Sequence, residues 1–197
     1  MQSAQSAPLR LSQFGTLHHP LTGKILRAVT ATGLVALCAH ISLPLPFTLV
    51  PLTLQTFAVV LIGMYLGPVA GFLSLALYLA EGASGLPVFN PNGPGGVAQL
   101  LGSTAGYLFS YPLAAALAGF AVRGLYRLHS RFTVAIIAGS LAMIPVFTLG
   151  AGWLAHLLHL PLIFIWHLAV TPFLFGEAIK ITAAASIFSA SNHWRQS

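Results

Sequence analysis

The stretch Thr171-Pro172-Phe173-Leu174-Phe175-Gly176-Glu177-Ala178-Ile179-Lys180 holds the only two ionisable side chains of the apolar run 168–190. A run of that length can cross a bilayer, for which about 20 mostly apolar residues suffice. Glu177 and Lys180 are three residues apart, so a helix places both on one face. A charge in hydrocarbon costs at least ~2.5 kcal/mol, and such residues usually face a protein interior or a polar cavity. Two interpretations stay open: a structural ion pair that fixes helix packing, or a polar site that meets a solute.

The composition is typical of an integral membrane protein. Of the 197 residues, 57% are hydrophobic and 5% are charged, and the mean hydropathy is +0.88. A soluble domain carries about 25% charged residues, so this chain has too few charges to cover a surface that faces water. The formal net charge of +6 comes from basic residues scattered singly around apolar runs. Positive-inside topology explains that pattern better than nucleic-acid binding does.

Apolar runs at about 25–43, 52–66, 69–80, 97–122, 132–154 and 168–190 predict an all-α membrane protein with six transmembrane helices. The basic residues other than Lys180 all fall on one side of these crossings, and the positive-inside rule places that side in the cytoplasm. They are Arg10, Lys24, Arg27, Arg123, Arg127, Arg131 and Arg195. We therefore predict a cytoplasmic tail at 1–22, a six-helix domain at 23–192 and a second cytoplasmic tail at 193–197, in a protein of the cell membrane.

Two irregular segments lie on the opposite, outer side of the predicted bundle. Residues 44–51 are rich in proline, which excludes a regular helix, and they form either an outer loop or a re-entrant cap over a site. Residues 81–96 are rich in glycine and proline, and a loop of that length in a compact domain is usually functional. Because Leu86, Val88 and Phe89 give it apolar anchors, we predict that this loop packs as a lid.

The sequence contains no motif of a common enzyme class. A P-loop, a Gly-x-Ser-x-Gly elbow and a His-Glu-x-x-His helix are all missing, and two acidic residues leave little capacity for acid–base catalysis. His156 and His159 are spaced for chelation, but no Cys, Asp or Glu lies near them in sequence. We predict a protein that is not an enzyme, that uses no cofactor and no metal, and that cannot hydrolyse ATP by itself.

A stripe of small residues runs along the first predicted helix. Ala28, Thr32 and Ala36 recur at every fourth position, and such a stripe allows close approach of another helix. Spacing alone does not decide whether that helix belongs to this chain or to a partner.

Several motifs occur together and in a fixed order. They are Val50-Pro51-Leu52-Thr53-Leu54-Gln55-Thr56, Leu66-Gly67-Pro68, Gly85-Leu86-Pro87-Val88-Phe89, Gly102-x-Thr104-x-Gly106-Tyr107 and Pro172-Phe173-x-x-Gly176-x-x-x-Lys180. In this order they resemble the BioY family, the biotin-binding S components of energy-coupling-factor (ECF) transporters. The resemblance implies a six-helix S-component fold and capture of biotin at the outer face. It also implies partners: a transmembrane T subunit and two ABC-type ATPases.

The resemblance assigns roles to individual positions. Lys180 matches the family's lysine in the last helix, Glu177 stands where the family usually has aspartate, and Asn90 or Asn92 matches an asparagine after the third helix. Glu177 would accept from the ureido N–H groups of biotin, and Lys180 would donate to the ureido oxygen. The other residues predicted to contact biotin are Gln55, Gln99, Phe89, Tyr107 and Phe173, and those predicted to dock on the T subunit are Ala28, Thr32 and Ala36.

The chain departs from the family pattern at three places. No arginine stands in the outer loop to meet the carboxylate of biotin, Gly-Ser-Thr-Ala-Gly-Tyr replaces Gly-Pro-Thr-Gly-Gly-Tyr at 102–107, and the stripe of Ala28, Thr32 and Ala36 only approximates the family's docking motif. A second hypothesis therefore stays open, in which the chain is a self-sufficient facilitator, alone or as a homo-oligomer in the lipid bilayer. Neither hypothesis involves nucleic acid.

Overall fold

The structure, a computed structural model, describes residues 20–125, 127 and 130–191. These residues form mainly helices, together with one short pair of strands. The elements in chain order are α1 (Pro20–His40), β1 (Ser42–Leu43), β2 (Leu52–Thr53), α2 (Gln55–Leu66), α3 (Pro68–Ala83), α4 (Gly96–Leu100), α5 (Ala105–Gly124), α6 (Arg131–Leu158), α7 (Leu162–Ala169) and α8 (Thr171–Ala190). Most of the predicted tail at 1–22, and all of that at 193–197, lie outside the described residues.

Each of the predicted apolar runs contains a helix, so the mainly helical architecture is confirmed. Within the described residues, helices at Thr22–His40, Ala105–Gly124, Arg131–Leu158 and Thr171–Ala190 are long and apolar enough to cross a membrane. Helices α2 and α3 are apolar but shorter, with 12 and 16 residues, or about 18 and 24 Å at 1.5 Å per residue. The exact number of crossings stays a prediction.

The prediction of one continuous helix over 97–122 is wrong. Helix α4 ends at Leu100, and α5 begins only at Ala105. The indole nitrogen of Trp153 donates to the Gly102 carbonyl at 2.8 Å, and Ser103 Oγ donates to the Leu49 carbonyl at 3.3 Å. The break is therefore held by side-chain bonds to distant parts of the chain, which the periodicity of a single segment does not reveal.

The prediction that the first helix reaches residue 43 is also wrong. Helix α1 ends at His40, and Ser42–Leu43 pairs antiparallel with Leu52–Thr53. This pairing makes residues 44–51 the loop of a small hairpin and corrects the all-α prediction by one strand pair. The Leu54 N–H extends the ladder by donating to the Ile41 carbonyl at 3.2 Å.

The segment between the apolar runs 132–154 and 168–190, where a connector is expected, is largely helical. Helix α6 continues to Leu158 and ends at His159, a residue in the left-handed conformation with φ of 53°. Helix α7 then occupies Leu162–Ala169, and α8 starts at Thr171 rather than at residue 168. The apolar runs 52–66 and 69–80 leave only Gly67-Pro68 between them, and the tight turn expected there is confirmed: Gly67 has φ of 80°, a value that favours glycine, and Pro68 opens α3.

Helix α5 occupies the centre of the bundle and packs against α2, α3 and α6. Many large apolar side chains point outward instead, which a water-facing surface would not tolerate in such numbers. On α8, for example, Phe175 and Ile179 are exposed, whereas Glu177 and Lys180 are buried. The polar pair therefore faces the interior of the bundle, as the sequence predicts.

The two ends of the bundle differ in chemistry. At one end Lys24, Arg27 and Arg123 surround a groove beside the Gly67 turn. Helix α3 runs from that turn to the other end and ends at Ala83, so the predicted loop 81–96 is too long: residues 81–83 belong to α3 and Gly96 opens α4, which leaves a loop at 84–95. The irregular segments and the basic residues thus lie at opposite ends.

Candidate functional site

The pair Glu177 and Lys180 is held by the end of β2 and by the first turn of α2. Both side chains are buried, with 6% and 7% of their residue surface exposed, and they form an ion pair. Thr56 Oγ1 donates to Glu177 Oε1 at 3.0 Å. Lys180 Nζ donates to Thr56 Oγ1 at 2.9 Å and to the Thr53 carbonyl at 2.8 Å. Helices α2 and α8 therefore fix the geometry of the pair together.

These bonds leave one side of the pair open. A lysine ammonium has three N–H donors, and Lys180 uses them on Thr53, Thr56 and Glu177. Glu177 Oε2, by contrast, is buried and has no hydrogen-bond partner. A buried acceptor without a partner costs about 1–3 kcal/mol, so this oxygen is suited to a donor brought by a ligand.

Asn90 supplies the complementary donor. It is 5% exposed, its Oδ1 accepts from the Asn92 backbone N–H at 2.8 Å, and its Nδ2 has no partner. Because a backbone N–H must donate to an oxygen, this bond assigns the oxygen and the nitrogen of the Asn90 amide. Among the described side chains, only Asn90 Nδ2 and Glu177 Oε2 are buried polar atoms without a partner.

Both of these atoms belong to residues that line one cavity beneath the hairpin loop. Its walls come from the hairpin, from α2, α4, α5, α6 and α8, and from the loop that carries Asn90. The lining residues are Val50, Pro51, Thr53, Gln55, Thr56, Asn90, Gln99, Thr104, Tyr107, Leu108, Tyr111, Val146, Phe147, Phe173, Glu177 and Lys180. The cavity volume is about 40 Å³, which is room for a few water molecules.

Most of the predicted ligand-contacting residues lie together in this cavity. They are Gln55, Asn90, Gln99, Tyr107, Phe173, Glu177 and Lys180. Asn92 does not line it: its side chain is exposed and donates to Ser42 Oγ at 2.8 Å. Phe89 is buried against Tyr78 instead. No cation other than Lys180 is among the lining residues, so the cavity adds no arginine to meet a carboxylate.

The motif that ends in Tyr107 positions α5 against α6. A Cβ on Gly106 would lie 2.3 Å from the Leu149 carbonyl oxygen, so only glycine permits this approach. The Tyr107 hydroxyl donates to the Ala169 carbonyl at 2.8 Å. The aromatic ring is thereby fixed between α6 and α7 while it forms part of the cavity wall.

A second polar network joins the cavity to α3. Gln55 Nε2 donates to the Tyr78 hydroxyl at 2.9 Å, and Gln55 Oε1 accepts from Thr53 Oγ1 at 3.2 Å and from the Tyr111 hydroxyl at 3.4 Å. The Tyr78 hydroxyl in turn donates to the Val88 carbonyl at 2.9 Å. This network orients the only amide that α2 contributes to the cavity.

Several residues were not predicted from the sequence. Five of them line the cavity, namely Thr53, Thr56, Tyr111, Val146 and Phe147, and Tyr78 belongs to the polar network behind it. A signal existed for some of them. Thr53 and Thr56 belong to the motif at 50–56, and Tyr111 lies four residues after Tyr107, on the same helical face. Tyr78 carried no such signal, because its role depends on how the loop after α3 folds back.

One of the three residues of the small-residue stripe of α1 is buried inside the chain. Thr32 is 3% exposed, and its hydroxyl donates to Glu81 Oε1 on α3 at 3.2 Å. Ala28 and Ala36 are half-buried. The spacing left open whether the stripe packs on a helix of this chain or on a partner protein, and Thr32 packs on α3 of this chain.

His156 and His159 contact each other edge to face, with ring centroids 6.2 Å apart. Trp153 lies beside His156 at 6.3 Å. In the part of the chain that is described, no group of three or more His, Cys, Asp or Glu could hold a metal ion. Both side chains are exposed at the C-terminal end of α6.

Comparison with known proteins gives consistent matches. The family model described as the BioY family matches residues 6–197. The probable biotin transporter BioY of Pyrococcus horikoshii is 37% identical over 138 residues, which are 70% of this chain and 78% of that protein. The biotin transporter BioY of Thermotoga maritima is 34% identical over 164 residues, or 83% and 92%.

The fold has a match among solved structures. It is the crystal structure of the S-component for biotin from an ECF-type ABC transporter, with a TM-score of 0.78 and 27% sequence identity. The match covers 87% of this chain and 92% of that one.

Proposed function

This chain belongs to the BioY family, and we propose that it binds biotin and serves as the substrate-specific membrane subunit of an ECF-type transporter. The relatives named as biotin transporters and the crystal structure of an S-component for biotin support this proposal. A binding subunit also agrees with a chain that carries no catalytic motif. We accordingly place the protein in the cell membrane.

One observation from the structure carries the choice of ligand. Glu177 Oε2 is a buried acceptor without a donor, and Asn90 Nδ2 is a buried donor without an acceptor. Both residues line the same cavity. The ureido group of biotin offers N–H donors beside a carbonyl acceptor, so it carries a complementary group for each of the two atoms. Binding would remove the cost of two unpaired polar atoms.

The position of Lys180 changes the role that the sequence suggested for it. All three of its donors are used inside the protein, so a bond to the ureido oxygen would require the loss of one of them. In our proposal Lys180 orients Glu177 through their ion pair, and Asn90 donates to the ureido oxygen. Aromatic walls at Tyr107 and Phe173 pack against the ring system of biotin, as apolar walls do in small-molecule sites.

The loop between α3 and α4, residues 84–95, acts as a lid in this proposal. A cavity of about 40 Å³ is far too small for biotin, so its walls must move to admit the ligand. The loop contributes Asn90 directly and bonds to the hairpin through Ser42, which donates to Asn90 Oδ1 at 3.4 Å and accepts from Asn92 Nδ2 at 2.8 Å. Opening of the loop would uncover the cavity and withdraw one of its two unpaired atoms.

The topology follows from the proposed function and the charges. We place six crossings in the membrane and both termini in the cytoplasm, because Lys24, Arg27 and Arg123 gather at the end of the bundle away from the lid. The proposed energising partners are a T subunit and two ABC-type ATPases. Since Thr32 is bonded within the fold, Ala28 and Ala36 are the members of the α1 stripe left to contact a T subunit.

Calorimetric titration of biotin into the purified chain tests binding, and uptake assays test coupling. We expect saturable binding of one biotin per chain, and uptake that depends on the T subunit and the ATPases. A chain that binds no biotin would refute the proposed function. Equal uptake in cells that lack every T subunit would favour the self-sufficient facilitator instead.

A further inference from the structure

Tyr78 connects the cavity to the lid through one hydroxyl group. Its side chain is fully buried on α3 and does not line the cavity. The hydroxyl accepts from Gln55 Nε2 at 2.9 Å and donates to the Val88 carbonyl, also at 2.9 Å. Gln55 lines the cavity, and Val88 is a residue of the lid, the loop 84–95. The two bonds therefore join a cavity wall to the lid.

The ring of Tyr78 holds the lid as well. It contacts Phe89 edge to face, with ring centroids 5.4 Å apart and an interplanar angle of 78°. Phe89 lies directly on Gly82, where a Cβ would come within 2.0 Å of the ring atom Cζ. The space that a side chain at position 82 would occupy is thus filled by the ring of Phe89, the apolar anchor of the lid, and we call this space the seat of Phe89.

We propose that Tyr78 is a positioning residue that links the closed lid to the orientation of the Gln55 amide in the cavity. Because the Tyr78 hydroxyl accepts from the Gln55 amide nitrogen, the Gln55 amide oxygen faces Thr53 and Tyr111, which both donate to it. Because the same hydroxyl donates to the Val88 carbonyl, it also holds the lid backbone two residues before Asn90 and so positions Asn90. Tyr78 thereby sets the direction of two polar groups of the site without touching the ligand.

The proposal rests on the proposed function, in which the lid closes over biotin. A bond that exists only when the lid is closed slows release more than it affects entry, since release must first break it. Removal of the Tyr78 hydroxyl should therefore act on the release rate and on the exposure of the lid. A residue that merely supports the core would change the melting temperature and neither of these.

Tyr78→Phe in the purified full chain is the test, with Tyr65→Phe as the matched control. Tyr65 also donates its hydroxyl to a backbone carbonyl, that of Ile187 at 3.3 Å, and also contacts a phenylalanine edge to face at 5.3 Å. It lies away from the cavity. The measurements are the release rate of labelled biotin after a chase and hydrogen exchange of the amides at 84–93.

We expect Tyr78→Phe to release biotin about tenfold faster, the effect of losing one buried hydrogen bond, and to speed exchange across the lid. Tyr65→Phe should match the parent in both measurements. Parental release in Tyr78→Phe would overturn the proposal, and so would faster release with parental lid exchange, because the effect would then pass through Gln55 alone.

A second variant keeps the test decisive if Tyr78→Phe does not fold. Gly82→Ala should push Phe89 from its seat while it leaves the Tyr78 hydroxyl in place, and we expect faster release and faster lid exchange from it too. Parental values for Gly82→Ala would contradict the proposal. If the parent binds no biotin, the proposed function fails, and lid exchange in the ligand-free Tyr78→Phe chain still decides whether Tyr78 holds the lid.

Discussion

Replacement of Glu177 by glutamine tests the site most sharply, because it changes one atom and removes one charge. Lys180 Nζ and Thr56 Oγ1 both donate to Glu177 Oε1, so the single amide oxygen of glutamine should take that position. The amide nitrogen then replaces Oε2 and points donors at the N–H groups of the ureido ring. A lost hydrogen bond to a charged group is worth about 1.5–3 kcal/mol, or roughly a ten- to hundredfold loss of affinity.

The matched control is Glu81→Gln, the same change at the only other acidic residue. Glu81 accepts from Thr32 on α1 and does not line the cavity, so biotin affinity should stay at the parental value. Glu177→Asp should be tolerated, since aspartate is the residue usual in the family. Calorimetric titration gives the affinities, and thermal melts show whether each variant is folded.

A double variant separates a binding site from a structural ion pair. Removal of one partner of a buried pair costs about 3–5 kcal/mol, whereas replacement of both by apolar residues is often neutral. Glu177→Leu combined with Lys180→Met should therefore melt near the parental temperature and bind biotin no better than Glu177→Gln. If the double variant binds biotin as tightly as the parent, the assignment of this site is wrong.

The other predictions concern the lid, the helix packing and the coupling surface. Asn90→Leu should weaken biotin by about tenfold because the donor to the ureido oxygen is lost, whereas titration of Asn92→Leu should show a smaller effect since its side chain is exposed. Gly106→Ala should lower the melting temperature markedly, because its Cβ would lie 2.3 Å from the Leu149 carbonyl oxygen; a parental melt would contradict that close approach. Ala28→Leu should reduce uptake in cells with the energising module but leave titrated biotin binding intact, and parental uptake would rule out docking at this position.

Much of the fold follows from local sequence. The apolar runs predict the helices because about 20 apolar residues have few other structures available in a bilayer. Gly67 predicts its turn because its left-handed φ is a glycine property. Lys180 and Glu177 predict an inward face of α8, since two charges on one side of an apolar helix need a polar environment.

The remaining features depend on contacts between distant segments. The break before α5 is held by the hydrogen bond from Trp153 to the Gly102 carbonyl. The sequence around Gly102 does not signal that bond, and neither does the sequence around Trp153. The strand pair at Ser42 and Leu52 is too short to leave a periodicity. Thr56 and Tyr111 join the site through the packing of α2 and α5, and the seating of Phe89 on Gly82 becomes visible only once the loop has folded back.

The most direct test of the central claim is the structure of this chain with biotin bound. We expect a ureido nitrogen within hydrogen-bond distance of Glu177 Oε2 and the ureido oxygen equally close to Asn90 Nδ2, at about 2.7–3.2 Å. We also expect Lys180 to keep its bonds to Thr53 and Thr56. A ureido group bound elsewhere in the chain, with Glu177 Oε2 and Asn90 Nδ2 still unpaired, would contradict the proposed site.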